Sequence, residues 1–149
     1  MAVDTPRGLM VPVIRDAHLL SPAALALAVA DAAAACRKGS IDPERLQGGT
    51  FTVSNLGAMG IEQFTPILNS PQVAILGVGA VTETAVPDGQ GGQSGQGGLR
   101  WQPQINLSLT IDHQVVDGAP GARFLQAVAA GLADLDKTLA LRGLSGSDA

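Results

Sequence analysis

The fold is decided by residues 105–118, which read INLSLTIDHQVVDG. The first seven alternate apolar with polar side chains, and this alternation predicts a half-buried strand. After Gly118 the apolar residues recur with helical spacing and Pro120 stands near the first helical position, so an amphipathic helix is predicted next. His113 therefore falls on a strand-to-helix connection, the kind of element that often carries functional side chains on a rigid scaffold.

His113 is one of only two histidines, and it lies between Asp112 and Asp117. This arrangement suggests a proton-transfer centre, although an Asp-His pair in a loop is more often a hydrogen-bonded or capping pair. A metal site formed by the same three residues lacks a fourth clustered ligand. The second histidine, His18, follows Arg15 in a predicted polar turn and is expected at the surface.

The rest of the chain alternates predicted strands and helices. Ser21 and Pro22 predict the start of a long helix that runs to about Lys38 and stops at Gly39. The nearly continuous apolar run 73–81 predicts a central strand covered on both faces. Further strands are predicted at 9–14, 49–56 and 99–111, and a short helical turn at 41–46. This order predicts an α/β fold with helices against a mixed sheet.

Glycine dominates residues 88–98, between two predicted strands. Such a composition predicts a mobile hairpin tip. A phosphate-binding glycine loop is the alternative, but the lysine and the helix start that define one are missing. Residues 143–149 are polar and predict a disordered tail.

Size and composition restrict the possible classes of protein. A chain of 149 residues suits one domain. No apolar run approaches the ~18 residues that span a bilayer, and no signal peptide is seen, so a soluble intracellular protein is expected. The net charge of −4, with scattered basic residues, argues against nucleic-acid binding. The single cysteine, Cys36, lies in an alanine-rich helical stretch and is expected to be a buried thiol.

Four segments resemble one family in the same order along the chain. Asp-His-Gln-Val-Val-Asp-Gly at 112–118 resembles the Asp-His-Arg-x-x-Asp-Gly signature of the acyltransferase component of 2-oxo acid dehydrogenase complexes, the dihydrolipoamide acyltransferases. Residues 2–17, 48–57 and 71–79 resemble three other segments of that family. The departure is Gln114, which stands where the family usually has arginine.

The resemblance implies a chloramphenicol-acetyltransferase-like two-layer α/β fold, with a mixed sheet and helices on one face. It further implies that residues 1–142 are the C-terminal part of the catalytic domain, truncated at the N-terminus. In the family, a further stretch of this domain, a lipoyl-bearing domain and a subunit-binding domain come earlier. The chain is therefore expected to be a fragment.

The reaction that the resemblance implies moves an acyl group from dihydrolipoamide to the thiol of coenzyme A. A free thiol has a pKa of about 8.5, so a base is needed to form the nucleophile. His113 is the candidate base, since imidazole both takes and returns protons near neutral pH. Ser54 matches the family's oxyanion-stabilising hydroxyl, although a serine there often just closes a strand into a turn. Asp117 could orient the imidazole, cap the next helix or pair with a distant arginine, and a role in holding the loop is favoured.

The resemblance also names partners. It implies a homotrimer with each active site at a subunit interface, a larger core, a lipoyl group on another domain, and 2-oxo acid decarboxylase and dihydrolipoyl dehydrogenase components. Coenzyme A is the implied substrate, no metal is expected, and the location is the bacterial cytoplasm or the mitochondrial matrix. Segments 54–57 and 63–67 look closer to acetyl-type members, with branched-chain members open. A non-catalytic piece of the core and a chloramphenicol-type acetyltransferase are the alternatives.

Overall fold

The computed structural model describes residues 1–87 and 98–141. These ranges contain five strands, in the order β1 (Val3–Thr5), β2 (Gly8–Met10), β3 (Thr52–Asn55), β4 (Ala74–Pro87) and β5 (Leu99–Ile111). The helices are α1 (Pro22–Lys38), α2 (Gly118–Ala133) and α3 (Leu135–Leu141), and short 3₁₀ turns occur at Ala17–Leu19, Pro43–Leu46 and Gly57–Met59. The α/β class with a mixed sheet is confirmed.

Helix α1 begins and ends where its local signals predict. The Ser21 hydroxyl accepts a hydrogen bond from the backbone N–H of Ala24 at 3.2 Å, which satisfies one of the first-turn donors. Gly39 ends the helix in the left-handed conformation, with φ of 70°, a position that favours glycine. The buried side of α1 packs Ala33 and Cys36 against Val3 of β1, so the prediction of a buried thiol is confirmed.

The main sheet has the order β3-β4-β5. Strand β4 pairs with β3 in parallel and with β5 in antiparallel fashion, which makes the sheet mixed. The long apolar strand is therefore central, as its sequence predicts. One row across the sheet joins Ser54, Gly77 and Ser108, and this row fixes the position of Ser54 relative to the end of β5.

Different segments cover the two faces of this sheet. Helix α2 covers the face that carries Leu109 and Ile111, because Gly121 is buried so closely against Ile111 that a Cβ there would lie 3.0 Å from its side chain. On the opposite face, a Cβ at Gly77 would meet Phe64 and Pro66 at 3.0 and 3.2 Å. Since side chains in one row point to one face, Ser54 lies on the Phe64–Pro66 side.

Beyond an irregularity between Val78 and Val81, β4 and β5 continue as a two-stranded arm. Opposed pairs along one face of the arm are mainly apolar and exposed, with Val81 facing Ile105, Ala85 facing Trp101 and Pro87 facing Leu99. Trp101 has 70% of its surface exposed. The arm therefore presents an apolar face that no described residue of this chain covers.

Several element boundaries differ from the sequence predictions. The strand expected at 9–14 ends at Met10, because Pro12 is buried without an N–H to donate and Val13 bonds instead to the Arg45 carbonyl at 2.7 Å. Strand β1, which pairs with β2, was not predicted at all. The strand expected at 49–56 covers only Thr52–Asn55, and the final helix breaks at Asp134. The predicted hairpin tip and tail lie outside the described residues, apart from the flanking Gly98.

Candidate functional site

The connection between β5 and α2 is a tight turn organised by Asp112. Its N–H donates to the Val73 carbonyl at 2.9 Å, which ties the turn to the start of the central strand. Its carbonyl accepts the N–H groups of Val115 and Val116 at 3.0 and 2.9 Å, and its carboxylate accepts the N–H of Gln114 at 2.9 Å. The sequence predicted only a strand end here, although an Asp followed by a non-helical loop is a known signal for this kind of turn.

The turn presents His113 to solvent beside Asp117. The imidazole Nδ1 lies 3.9 Å from a carboxylate oxygen of Asp117, and the two side chains are 74% and 85% exposed. This distance is too long for a hydrogen bond, and solvent screens the attraction of such an exposed pair. Asp117 is thus near the imidazole without fixing it in this structure.

Asp117 also precedes α2 as its N-cap residue. Its side chain makes no capping hydrogen bond, and its backbone carbonyl accepts the N–H of Gly121 at 3.2 Å. Among the described residues no arginine lies within ion-pair distance of it. Of the three predicted roles, side-chain capping and an arginine pair are not seen among the described residues, and proximity to His113 is seen.

Ser54 lies on β3, half-buried in the sheet. The preceding residue on the same face, Thr52, is 1% exposed, and its hydroxyl donates to Gln72 Oε1 at 2.6 Å. Past Ser54, the Asn55 side chain accepts the N–H of Gly57 at 2.8 Å and closes the strand into a turn. Ser54 is thus held between a buried hydrogen bond and a fixed turn.

The structure does not bring Ser54 and His113 of one chain together. Ile111 lies three residues beyond the row that contains Ser54, and β3 is two strands from β5. With about 3.3 Å per residue and about 4.8 Å between strands, the backbones of Ser54 and Ile111 are roughly 14 Å apart. His113 comes two residues after Ile111. The chain after Asp112 also enters α2, which packs on the face opposite Ser54.

Two open grooves lie near these residues without containing either. One, of about 580 Å³, is lined by Asn55, the turn that follows it and the irregularity of β4. The other, of about 230 Å³, lies between β5 and α2. The described residues contain no group of three His, Cys, Asp or Glu side chains able to hold a metal ion. His18 is exposed in the turn Ala17–Leu19, as predicted.

The chain thus combines a mixed sheet with a histidine on the strand-to-helix turn after β5 and a serine on β3, two strands away. The family model for 2-oxoacid dehydrogenases acyltransferase (catalytic domain) matches residues 1–140. The chain belongs to this family of acyltransferases. The family prediction from the four sequence segments is confirmed.

Curated relatives include both mitochondrial and bacterial proteins. The chain is 44% identical over 128 residues to the dihydrolipoyllysine-residue acetyltransferase component of the pyruvate dehydrogenase complex, mitochondrial, of Schizosaccharomyces pombe, covering 86% of this chain and 26% of the relative. It is 46% identical over 128 residues to the acetyltransferase component of the acetoin cleaving system of Bacillus subtilis, covering 86% and 30%. The chain thus spans less than a third of the length of these relatives. No helix in the described ranges is long and apolar enough to cross a membrane.

Solved structures share the fold. The Azotobacter vinelandii dihydrolipoamide acetyltransferase superposes with a TM-score of 0.84 at 40% identity, over 93% of this chain and 54% of that one, and a serine, a histidine and an asparagine were studied there for their role in catalysis. A truncated catalytic core from Thermoplasma acidophilum gives 0.74 at 35% identity, over 89% and 55%. The fold is therefore that of these catalytic cores, of which the chain spans about half.

Proposed function

We propose that this chain carries the acyl-transfer site of a dihydrolipoamide acyltransferase, which transfers an acyl group from S-acyl-dihydrolipoamide to coenzyme A. The observation that carries the proposal is His113, an exposed imidazole held on a rigid turn between the sheet and α2 beside a carboxylate. Acetyl-dihydrolipoamide is the donor to assay first, since the relatives named above are acetyltransferases.

The proposed chemistry is a direct thioester exchange. Nδ1 of His113 faces Asp117, which leaves Nε2 to take the proton from the coenzyme A thiol. The thiolate attacks the acyl carbonyl carbon, and the new C–S bond converts the carbonyl oxygen into an oxyanion that the Ser54 hydroxyl stabilises by donating a hydrogen bond. The intermediate then collapses, the bond to the dihydrolipoamide sulfur breaks, and the imidazolium returns its proton to that sulfur. Nothing is oxidised or reduced.

An acyl-enzyme on Cys36 is not part of this scheme. The thiol is 1% exposed and packs between α1 and β1, away from the turn that carries His113. A thiol acts as a nucleophile only when it is accessible and its thiolate is stabilised. Transfer therefore takes place directly between the two bound thiols.

The site is proposed to be completed by a second copy of the chain. Ser54 of one copy faces the Phe64–Pro66 side of the sheet, whereas His113 follows the end of β5 two strands away on a turn that leads into α2 on the other face. The scheme needs both residues at one carbonyl. Both residues can meet at one carbonyl in a ring of copies, where the histidine of each copy lies beside the serine of its neighbour. A trimer is the predicted form of this ring. A structurally related core is described as the cubic core of the pyruvate dehydrogenase multienzyme complex, which supports a larger assembly. We further propose a lipoyl domain, a 2-oxo acid decarboxylase and a dihydrolipoyl dehydrogenase as partners, and a cytoplasmic or mitochondrial matrix location.

Transfer is tested in the full-length protein that carries this chain, with acetyl-dihydrolipoamide and coenzyme A. His113→Ala should lower kcat by about 10²–10⁴, the usual contribution of a general base, without loss of folded structure by circular dichroism. The control is His18→Ala, which removes the other histidine from an exposed turn and should leave turnover unchanged. Near wild-type turnover in the His113 variant would exclude the scheme. A folded wild-type protein without any transfer would leave the structural-core alternative.

A further inference from the structure

The hydrogen bonds around His113 converge on one residue. Asp112 donates its N–H to Val73 and accepts three backbone N–H groups, from Gln114 through its carboxylate and from Val115 and Val116 through its carbonyl. The bonds therefore fix the backbone on both sides of His113. Only the bond to Gln114 depends on the side chain at position 112.

The imidazole itself has little else to orient it. Its side chain is 74% exposed, and Asp117 is 3.9 Å away, beyond hydrogen-bonding distance. For a largely exposed side chain, the backbone fixes the Cα–Cβ direction and decides which rotamers are allowed. The turn centred on Asp112 is thus the described element that sets the place from which the imidazole extends.

We propose that Asp112 is a positioning residue for His113, acting through the carboxylate oxygen that accepts the Gln114 N–H. This inference rests on the proposed function, in which His113 is the base. Asp112 itself lies half-buried at the strand end and touches no reacting group. What matters is an acceptor oxygen at this position, and the negative charge is not required.

The expected effect follows from the sensitivity of proton transfer to geometry. Without the side-chain acceptor, the turn from 112 to 114 loses one of its two closing elements while the carbonyl bonds to Val115 and Val116 remain. The turn then loosens without unfolding. A displacement of about 1 Å in a catalytic group costs about 10²-fold in rate, so a loss of about 10- to 100-fold in kcat is expected.

The test compares Asp112→Ala with Asp112→Asn in the full-length protein. Asparagine keeps an oxygen that can accept the Gln114 N–H and removes the charge. We expect Asp112→Ala to lower kcat by about 10- to 100-fold with a KM for coenzyme A within about twofold of wild type, and Asp112→Asn to retain at least about a third of the activity.

Asp42→Ala is the matched control. Asp42 accepts the N–H of Glu44 at 2.9 Å, the same two-residue bond as at Asp112, at a turn remote from the β5–α2 connection. Loss of the Asp42 bond should lower thermal stability about as much as loss of the Asp112 bond does, and it should leave kcat unchanged. An equal fall in kcat for Asp42→Ala and Asp112→Ala would make the effect one of general stability and overturn the proposal.

A second measurement does not need activity. In the NMR spectrum, Asp112→Ala should shift or broaden the His113 imidazole resonances and speed exchange of the Gln114 amide, while His18 stays unchanged and Asp112→Asn resembles wild type. Unchanged resonances in the alanine variant, or equal losses in both variants, would refute the positioning role. If Asp112→Ala shows these shifts but the wild-type protein transfers no acyl group, the proposed function alone is refuted.

Discussion

At the scale of single residues, the site is unusual in how little its key side chains touch. His113 and Asp117 are exposed and 3.9 Å apart, and Ser54 is only half-buried on its strand. Their positions come from neighbours that are better held, Asp112 on one side and Thr52 on the other. Substrates and a second copy of the chain are therefore expected to supply the surroundings in which these groups react, because water otherwise weakens every charge-dependent interaction there.

The serine hydroxyl can be tested against a close control. Ser54→Ala should lower kcat by about 10²–10³ with a small change in KM, since the hydrogen bond is made to an oxyanion that exists only during reaction. Ser108→Ala removes a hydroxyl from the same row and face of the sheet, two strands away, and should keep kcat near wild type. Steady-state kinetics on both variants decide the matter. Equal effects would assign Ser54 a structural role at the strand end.

At the scale of elements, close backbone contacts determine how the site strands are held. Gly79 lies where β4 passes the segment before it, and a Cβ at this position would stand 2.0 Å from the Glu62 carbonyl oxygen. Ala80 donates its N–H to Ile61 at 2.8 Å in the same place. This contact fixes the crossover between β3 and β4, and with it the parallel pairing that places Ser54.

Adding one methyl group at this contact should therefore be costly. Gly79→Ala is expected to reduce the free energy of unfolding by about 3 kcal/mol or more, because the obstacle is backbone that cannot rotate away. Gly131→Ala is the control, since a Cβ there stands 3.8 Å from Thr138 in ordinary contact and alanine favours the helix by about 0.5–1 kcal/mol. Chemical denaturation measures both. A Gly79 variant as stable as wild type would mean that the crossover is looser than described.

The elements also show which parts of the fold the sequence could predict. The sequence predicts helix α1 closely, from Ser21 to about Lys38, because its caps, Ser21 and Gly39, act within a few residues. The sequence predicts β5 with its observed bounds, but it predicts β4 only to Val81, because the continuous apolar run ends there while the pairing with β5 continues to Pro87. Strand β1 was missed since three residues, Val3–Thr5, carry too short a pattern, and β2 was extended too far because the bond from Val13 to Arg45 spans distant parts of the chain.

At the scale of the whole molecule, the sheet order places His113 and Ser54 apart, although the sequence indicates only that both belong to the candidate site. Motif resemblance named His113 and Ser54, but their separation follows from the parallel pairing of β3 beside β4, a long-range choice with no local signal. The same holds for the faces of the sheet, which depend on where α2 packs. The interface site proposed above is the consequence for function.

Mixing two inactive variants tests the interface site. His113→Ala and Ser54→Ala chains, reassembled together, should regain activity, since each mixed ring contains one interface where an intact histidine meets an intact serine. In a trimer, this restores up to about one site in three. Each variant assembled alone is the control. If mass measurement shows mixed rings and no activity returns, both residues act from the same chain.

The exposed arm of β4 and β5 has an optical consequence. Trp101 is the only tryptophan in a sequence without tyrosine, so the ultraviolet emission of this chain comes almost entirely from one point on the arm's apolar face. An indole in water emits at longer wavelength than an indole surrounded by hydrocarbon. The wavelength of this emission therefore reports whether the apolar face is exposed to solvent or covered. A dilution series followed by fluorescence would detect association at the arm without any added label.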